Sequence, residues 1–249
     1  MSARRSSIVF GGSSGVGRAL VELLAARGDR VLATSRDLRD LEALQRDCVV
    51  RFGAEVNIEA IDVSSSDFDP TAFVERCIQK LGHITHVFLP VGAISSEDKA
   101  IVNDELIADL ALVNYTRPAQ LLSAFCKHFE KNGDGHAMIF SSIAAAAPRS
   151  NNAAYASAKA ALEFYCRALQ HHFSGSAVSI QICVLGYVDT SMSFGLKLRL
   201  PIATPTAAAR YAIRMSETNA RLAYFPRFWS PITAILNILP WSIYKRLRF

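Results

Sequence analysis

Three polar residues have the types and spacing needed for acid–base chemistry on an oxygen atom. Tyr155 and Lys159 are four residues apart, so they share a face if they lie on one helix. Such a helix is expected because Asn151-Asn152 can cap it and because the residues that follow are mostly Ala. A phenol ionises near pH 10, and a lysine one turn away would stabilise the phenolate. Ser142 follows the predicted strand Ala137–Phe140 and would orient a carbonyl oxygen while Tyr155 donates its proton.

Asn114 lies within a predicted helix over Glu105–Phe129, where asparagine is a poor helix former. Four residues later, Pro118 has no N–H to bond the carbonyl of residue 114. Asn114 is therefore expected to present an unsatisfied carbonyl that can hold a water molecule. The alternative is a helix that is merely kinked at this proline.

A glycine-rich loop connects the first predicted strand to a helix. The strand Ser6–Phe10 runs into the sequence GGSSGVG over Gly11–Gly17, and helical residues follow at once. Glycines permit a sharp turn and a close approach to a pyrophosphate, whose charge a helix N-terminus stabilises. The Gly-x3-Gly-x-Gly spacing differs from the GxGxxG of other dinucleotide folds, and an ordinary Gly-Ser turn is the alternative. The position between strand and helix favours nucleotide binding.

Two further strand ends carry residues that suit the adenosine half of a dinucleotide. The second strand ends in Ser35-Arg36, where an acidic side chain would bind a ribose 2′-hydroxyl and a basic one a 2′-phosphate. Arg36 therefore favours NADP(H) over NAD(H), unless it is simply a solvated surface arginine. Asp62-Val63 follows the third strand, where a carboxylate can accept from the adenine amino group. The same residues also suit a turn or a helix cap.

Strands and helices are predicted to alternate along the chain, which indicates a parallel sheet covered on both faces. We predict an α/β fold with a doubly wound, Rossmann-type sheet of about seven strands and a C-terminal helical tail. Residues 1–225 are expected to form one dinucleotide-binding and catalytic domain, and residues 226–249 a basic aromatic tail. The predicted strands are Ser6–Phe10, Val31–Thr34, Val56–Ile61, His86–Leu89, Ala137–Phe140, Val178–Val184 and Leu222–Phe225.

Composition narrows the class of protein. The 249 residues are 51% hydrophobic and 20% charged, with only 13 Gly and 9 Pro, which excludes extended disorder and collagen. The five cysteines are scattered and form no CxxC pair, so we expect buried thiols in a reducing cytoplasm and no metal site. The net charge of +5 arises after Glu217, beyond every acidic residue. This distribution argues against a nucleic-acid partner.

The tail itself is apolar, aromatic and basic. Its mostly apolar stretch Phe228–Leu239 is too short to span a bilayer. Trp229, Trp241 and Tyr244 suit the headgroup region, and Lys245, Arg246 and Arg248 suit anionic lipid. Peripheral membrane contact is one expectation for this tail. The other is that it folds over a substrate pocket or completes a dimer.

From Ser6 to about Thr190 the chain resembles the short-chain dehydrogenase/reductase family. The family's TGxxxGxG loop corresponds to Phe10–Gly17, with Phe10 in place of the threonine. Its catalytic residues correspond to Asn114, Ser142, Tyr155 and Lys159, and the resemblance implies that the asparagine carbonyl holds a water linking the lysine to solvent. Together with the residues above, the predicted cofactor-binding set is Gly11, Ser13, Ser14, Gly15, Val16, Gly17, Ser35, Arg36, Asp62, Val63, Gly92, Asn114, Tyr155, Lys159, Val188 and Thr190.

The sequence departs from the family pattern at three places. The family's NNAG is Leu89-Pro90-Val91-Gly92 here, so the asparagine amide that braces the sheet is missing. The family's Pro-Gly before the nicotinamide contact is Leu185-Gly186. The aromatic tail replaces the family's usual C-terminal ending.

These observations predict an oxidoreductase that transfers a hydride between NADP(H) and a carbonyl or alcohol of a hydrophobic small molecule. The pocket is expected to be lined by Ile143–Ala147, Ser191–Pro201 and the tail. A nonenzymatic NADPH-binding, membrane-associated protein is the alternative, which a damaged catalytic set would favour. Epimerisation or dehydration on the same fold is a third possibility. The resemblance also implies a homo-oligomer formed through the helices that carry Tyr155 and Asn114.

Overall fold

The computed structural model describes residues 5–193 and 201–247. Seven parallel strands in this part of the chain form one sheet in the order β3-β2-β1-β4-β5-β6-β7. The predicted doubly wound fold is confirmed. The strands are β1 Ser6–Phe10, β2 Arg30–Ser35, β3 Val56–Ala60, β4 His86–Leu89, β5 Asp134–Ser142, β6 Ala177–Leu185 and β7 Leu222–Phe225.

Helices connect these strands, and several begin at residues that cap them. Asp37 accepts a hydrogen bond from the N–H of Asp40, and Asp69 accepts from Thr71 and Ala72. The helices are α1 Gly15–Ala26, α2 Leu38–Phe52, α3 Pro70–Leu81, α4 Asp104–Ala111, α5 Arg117–Asn132, α6 Ala153–His172, α7 Pro205–Ser216, α8 Trp229–Ile238 and α9 Trp241–Tyr244.

Both faces of the sheet are buried, as near-continuous apolar strands require. On one face, Ile8 packs in a core with Phe73 and Phe125. On the other, the neighbouring residue Val9 packs in a core with Leu20. All five cysteines are free and buried, as predicted.

The strand order reverses at β1, which lies between β2 and β4. Connections therefore leave the carboxyl ends of β1 and β4 in opposite directions and open a crevice there. Gly11 follows β1, and Pro90–Gly92 follow β4, so both segments border this crevice. The candidate site is built around it.

Two predicted elements differ from those observed. β5 extends to Ser142, so this serine is the last residue of the strand and does not follow it. The helix predicted over Glu105–Phe129 is interrupted by a π-helical turn, Leu112–Thr116, between α4 and α5. Pro118 explains the interruption, because it cannot donate the N–H that an unbroken α-helix needs.

The C-terminal segment starts by packing against the body of the protein. Helix α8 contacts β7 and the 3-10 turn Ile143–Ala146. Trp229 at its start is only 6% exposed and meets the ring of Tyr187 edge-on. The expectation that Trp229 lies in a lipid headgroup region is therefore wrong, because protein covers its ring. None of the helices in the described ranges is both long and apolar enough to span a bilayer.

Candidate active site

The glycine loop has the geometry that its spacing predicted. Gly11 and Gly15 have φ values of +61° and +51°, a conformation that side chains other than glycine rarely adopt. A Cβ built on Gly17 would lie 2.1 Å from the carbonyl oxygen of Gly11, so only glycine allows α1 to approach the loop this closely. No acidic residue lies in the first turn of α1. No carboxylate of this turn therefore competes with a phosphate for the free N–H groups at the start of α1.

The neighbouring strand ends form the part of the crevice where adenosine is predicted to bind. Ser35, Arg36, Asp62 and Val63 line it. The Ser13 and Ser35 hydroxyls are 2.6 Å apart and hydrogen-bonded, which joins the loop to the end of β2.

At this adenosine end, Asp62 accepts two hydrogen bonds from Ser64 through Oδ1. Those bonds, followed by the charge of Arg36, lower the pKa of the Asp62 carboxyl. An ionised acceptor and an exposed guanidinium therefore lie side by side.

Ser142, Tyr155 and Lys159 lie together around one cleft, at the end of β5 and on the first turns of α6. The Lys159 ammonium is buried and donates to the carbonyl oxygens of Val91, at 2.8 Å, and Phe140, at 3.1 Å. It also lies 5.9 Å from the centroid of the Tyr155 ring. Burial lowers the pKa of Lys159 to about 8. The ammonium is therefore still the main form at neutral pH.

Burial raises the pKa of the Tyr155 phenol above its usual value. Two neighbours oppose this rise: the Ser142 hydroxyl through a hydrogen bond, and the positive charge of Arg149. The spacing of Tyr155 and Lys159 predicts that Lys159 lowers this pKa. In the structure the lowering comes from Ser142 and Arg149, while the Lys159 ammonium donates to backbone carbonyls. A phenol that keeps its proton suits the role of an acid.

Asn114 lies in the π-helical turn and is fully buried. Its side-chain amide forms a hydrogen bond with each backbone group of Ala93. Oδ1 accepts from the N–H at 3.1 Å, and Nδ2 donates to the carbonyl oxygen at 2.9 Å. This clamp holds the segment after β4, where the family's bracing asparagine is missing. A Cβ on Gly92 would lie 3.1 Å from Asn114 Oδ1 and 3.3 Å from Lys159 Nζ, so the two side chains converge on this glycine. That the Asn114 carbonyl holds a water stays a prediction.

The segment after β6 closes the cleft over the glycine loop. Thr190 Cγ2 would lie 3.1 Å from a Cβ on Gly15. Val188 is buried and forms a bridge with Ala203, and the Ser193 hydroxyl donates to the Val188 carbonyl at 2.7 Å. The predicted pocket-lining segment Ser191–Pro201 is described only in part, because residues 194–200 lie outside the described residues.

One cleft of about 360 Å³ brings most of the predicted residues together. It runs from the glycine loop to the catalytic set. Of the predicted site residues, its lining includes Gly11, Ser14, Gly15, Val16, Gly17, Arg36, Gly92, Ser142, Tyr155, Lys159, Val188 and Thr190. Ser35, Asp62 and Val63 line the adjoining crevice, and Asn114 lies behind Gly92.

Sequence reasoning missed Asp98, which holds the start of α6. Its two carboxylate oxygens accept hydrogen bonds from the N–H groups of Ala154 and Tyr155, at 3.0 and 2.9 Å. Asn152, the predicted cap, is in the left-handed conformation with φ 58° and makes no side-chain cap bond. Asp98 is 56 residues before Ala154 in the chain, so no local pattern marks it.

Comparison with known proteins decides the family. The sequence model described as short chain dehydrogenase matches residues 5–198. The chain belongs to the short-chain dehydrogenase family. A curated relative, an uncharacterized oxidoreductase of Mycobacterium tuberculosis, is 24% identical over 242 residues, covering 96% of each chain. Another short-chain dehydrogenase relative, the inactive hydroxysteroid dehydrogenase-like protein 1 of Pongo abelii, is 25% identical, over 91% of this chain and 69% of its own.

Solved structures of short-chain dehydrogenases share the fold. The short-chain dehydrogenase of Sphingobium yanoikuyae in complex with NADPH superposes with a TM-score of 0.81. It is 21% identical in sequence, and the match covers 98% of this chain and 96% of that one. At this identity, the likeness extends to the fold alone.

Proposed function

We propose that this chain reduces a carbonyl compound with NADPH, or oxidises the corresponding alcohol with NADP⁺. The observation that carries the proposal is the single cleft in which a phosphate-binding loop and the Ser142, Tyr155 and Lys159 side chains face the same space. A protein that only bound the dinucleotide would not need this catalytic set.

The residues fit a nicotinamide dinucleotide. The loop leaves no room for side chains at Gly17, and the α1 N–H groups are free to bind the pyrophosphate. Asp62 Oδ2 is left to accept from the adenine amino group, since both Ser64 bonds use Oδ1. The Lys159 ammonium and Gly92 border the place of the nicotinamide ribose. When bound, the nicotinamide supplies the hydride or accepts it.

Each member of the catalytic set has a distinct task. Tyr155 donates its phenolic proton to the carbonyl oxygen as the carbonyl carbon receives the hydride. Ser142 holds that oxygen by a hydrogen bond. Lys159 binds the ribose and supplies a positive charge, and Asn114 positions the water through which Tyr155 regains a proton. Electrons and protons balance, because one hydride and one proton convert the carbonyl to an alcohol.

NADP(H) is the proposed cofactor because of Arg36. Its guanidinium is exposed at the end of β2 and lines the crevice beside Ser35, where an acidic residue would favour NAD(H). The Sphingobium relative bound NADPH. A guanidinium fork suits the two oxygens of a 2′-phosphate.

Apolar side chains line part of the substrate side of the cleft. Ile94, Tyr187 and Met192 line it next to the catalytic set. We propose a small substrate with a substantial hydrophobic part. A nonenzymatic role is less well supported, although one relative is called inactive, because all four catalytic residues are present here.

Besides cofactor and substrate, we propose two larger partners: a second copy of the chain and a membrane surface. A second copy of the chain would pack on α4 and α6, where a concave surface is lined by Ile107, Tyr115 and alanines of α6. A membrane surface would meet the exposed apolar residues of the tail. The cytoplasm stays the predicted compartment.

The test is NADPH consumption against 2-ketones from butanone to dodecanone, with identification of the alcohol. The proposal expects NADPH-dependent turnover that rises with chain length until the cleft is filled. Reduction of no ketone, together with no oxidation of the matching alcohols by NADP⁺, would contradict it.

A further inference from the structure

We propose that Arg149 binds an oxyanion of the substrate, so that the carbonyl compound reduced here carries a carboxylate or phosphate near its reacting carbon. This inference rests on the proposed function and names its substrate class. It adds a charged end to the hydrophobic part inferred above.

Arg149 lies at the substrate end of the cleft. It lines the space together with Ser142, Asn152 and Tyr155. It is close enough to Tyr155 for its charge to lower the pKa of the phenol. A group bound by Arg149 would therefore lie beside the carbonyl that Tyr155 protonates.

Among the described residues, the charged side chains that line this cleft are all positive: Arg36, Arg149 and Lys159. The proposed cofactor would account for two of them, because Arg36 would bind its 2′-phosphate and Lys159 its nicotinamide ribose. Arg149 is the remaining cation. The cofactor leaves its charge without a partner.

The protein does not satisfy this guanidinium within the described residues. Arg149 Nε is buried there and has no hydrogen-bond partner. The salt bridges found among the same residues do not include Arg149. The segment 194–200, FGLKLRL, contains no acidic residue either. A buried, unpaired N–H of a charged group is costly, and an anionic ligand would relieve that cost.

The segment that carries Arg149 is fixed on both sides. Before it, the carbonyl oxygen of Pro148 accepts a hydrogen bond from the Tyr244 hydroxyl of the tail. After it, the N–H of Asn152 donates to the backbone carbonyl of Asp98 at 2.8 Å. A guanidinium on a pinned segment is preorganised to bind a ligand.

The experiment compares the full-length wild type with Arg149→Gln, using Arg210→Gln on exposed α7 as the matched control. The probes are 4-oxopentanoate against its methyl ester, and hydroxyacetone phosphate against hydroxyacetone. We expect the wild type to favour at least one anionic probe by about tenfold to a hundredfold in kcat/KM. Arg149→Gln should lose most of that preference and Arg210→Gln should keep it. The two pairs distinguish a carboxylate from a phosphate.

A binding measurement separates this inference from the proposed function. With NADP⁺ present, pentanoate or propyl phosphate should raise the Tm of the wild type and of Arg210→Gln, but not that of Arg149→Gln. If no ketone is reduced but this pattern appears, the oxyanion site stands and the reductase assignment falls. Equal anion effects on wild type and Arg149→Gln, or none on either, would overturn the inference even if neutral ketones are reduced.

Discussion

The backbone N–H of Tyr155 donates a hydrogen bond to Oδ2 of Asp98 at 2.9 Å. The Asp98 carboxylate is 1% exposed and replaces the missing side-chain cap of α6. A negative charge at a helix N-terminus also interacts favourably with the helix dipole. The position of the candidate acid therefore depends on a carboxylate from the loop before α4.

Asp98→Ala should lower the free energy of unfolding by about 1–2 kcal/mol, the usual cost of losing a helix cap. It should also lower kcat more than it raises the Kd for NADPH, because Tyr155 loses its anchor while the glycine loop is unchanged. Urea unfolding and steady-state kinetics measure both. Asp104→Ala, at the exposed start of α4, is the control and should change stability by no more than about 0.5 kcal/mol. Equal stability of the Asp98 and Asp104 variants would contradict this role.

Arg36→Ala should weaken NADPH binding about tenfold to more than a hundredfold, while NADH binding changes little. The charge-assisted hydrogen bonds to a 2′-phosphate, worth about 1.5–3 kcal/mol, are the reason. Adding Ser35→Asp should reverse the preference, because a carboxylate accepts from a 2′-hydroxyl. Fluorescence titration with both cofactors measures this, and Arg39→Ala at an exposed position nearby is the control. Equal affinity of the wild type for NADPH and NADH would contradict the role of Arg36 in binding a 2′-phosphate.

Acid should destabilise the protein through His86. Burial lowers the pKa of this imidazole to about 3, so the folded state keeps it neutral while the unfolded chain protonates it below about pH 6.5. The contribution of neutral His86 to the free energy of unfolding is present above that pH and is lost as pH falls from about 6.5 toward 3. Between pH 7 and pH 5 the loss is about 2 kcal/mol from this group. Urea unfolding at both pH values should show a smaller loss for His86→Phe than for the wild type, and an unchanged loss would contradict the role.

The tail should bind anionic vesicles through the residues that protein leaves uncovered. Trp241 is 69% exposed and Ile238 79% exposed, and Lys245 and Arg246 are also exposed. In a flotation assay with vesicles rich in phosphatidylserine, the wild type should float and the double variant Trp241→Ala, Ile238→Ala should not. Val50→Ala, which changes an equally exposed apolar residue on α2, is the control. Salt should weaken the binding, and a wild type that never floats would exclude this surface as a membrane contact.

Much of the fold was predictable because local patterns determine it. The glycines of the loop after β1 predict positive φ values and a close approach of α1 to that loop. Pro118 predicts the break in the long helix. Contacts between distant segments were not predictable. Asp98 reaches across 57 residues to Tyr155, and nothing in its neighbourhood marks it as a cap.

The burial of Trp229 is a second contact between distant segments that the sequence did not predict. A Cβ on Gly186 would lie 2.0 Å from its indole Nε1, so the glycine that this chain shares with the family's Pro-Gly makes room for the tail. Composition left two places for this tryptophan: a membrane surface, or the protein itself as part of a lid or dimer contact. Packing against Gly186, 43 positions earlier in the chain, buries it in the protein.

A single-turnover measurement shows most directly whether Tyr155 supplies the proton. Wild type and Tyr155→Phe, each saturated with NADPH, are mixed with the most reactive ketone, and loss of NADPH absorbance is followed. We expect the variant's rate of NADPH loss to be lower by a factor of about 10² or more, with its NADPH affinity retained. Ser142→Ala should be severe, and Ser141→Ala mild, because the Ser141 hydroxyl donates to Glu163 at 2.5 Å. A Tyr155→Phe variant that reduces the ketone at nearly the wild-type rate would contradict the account.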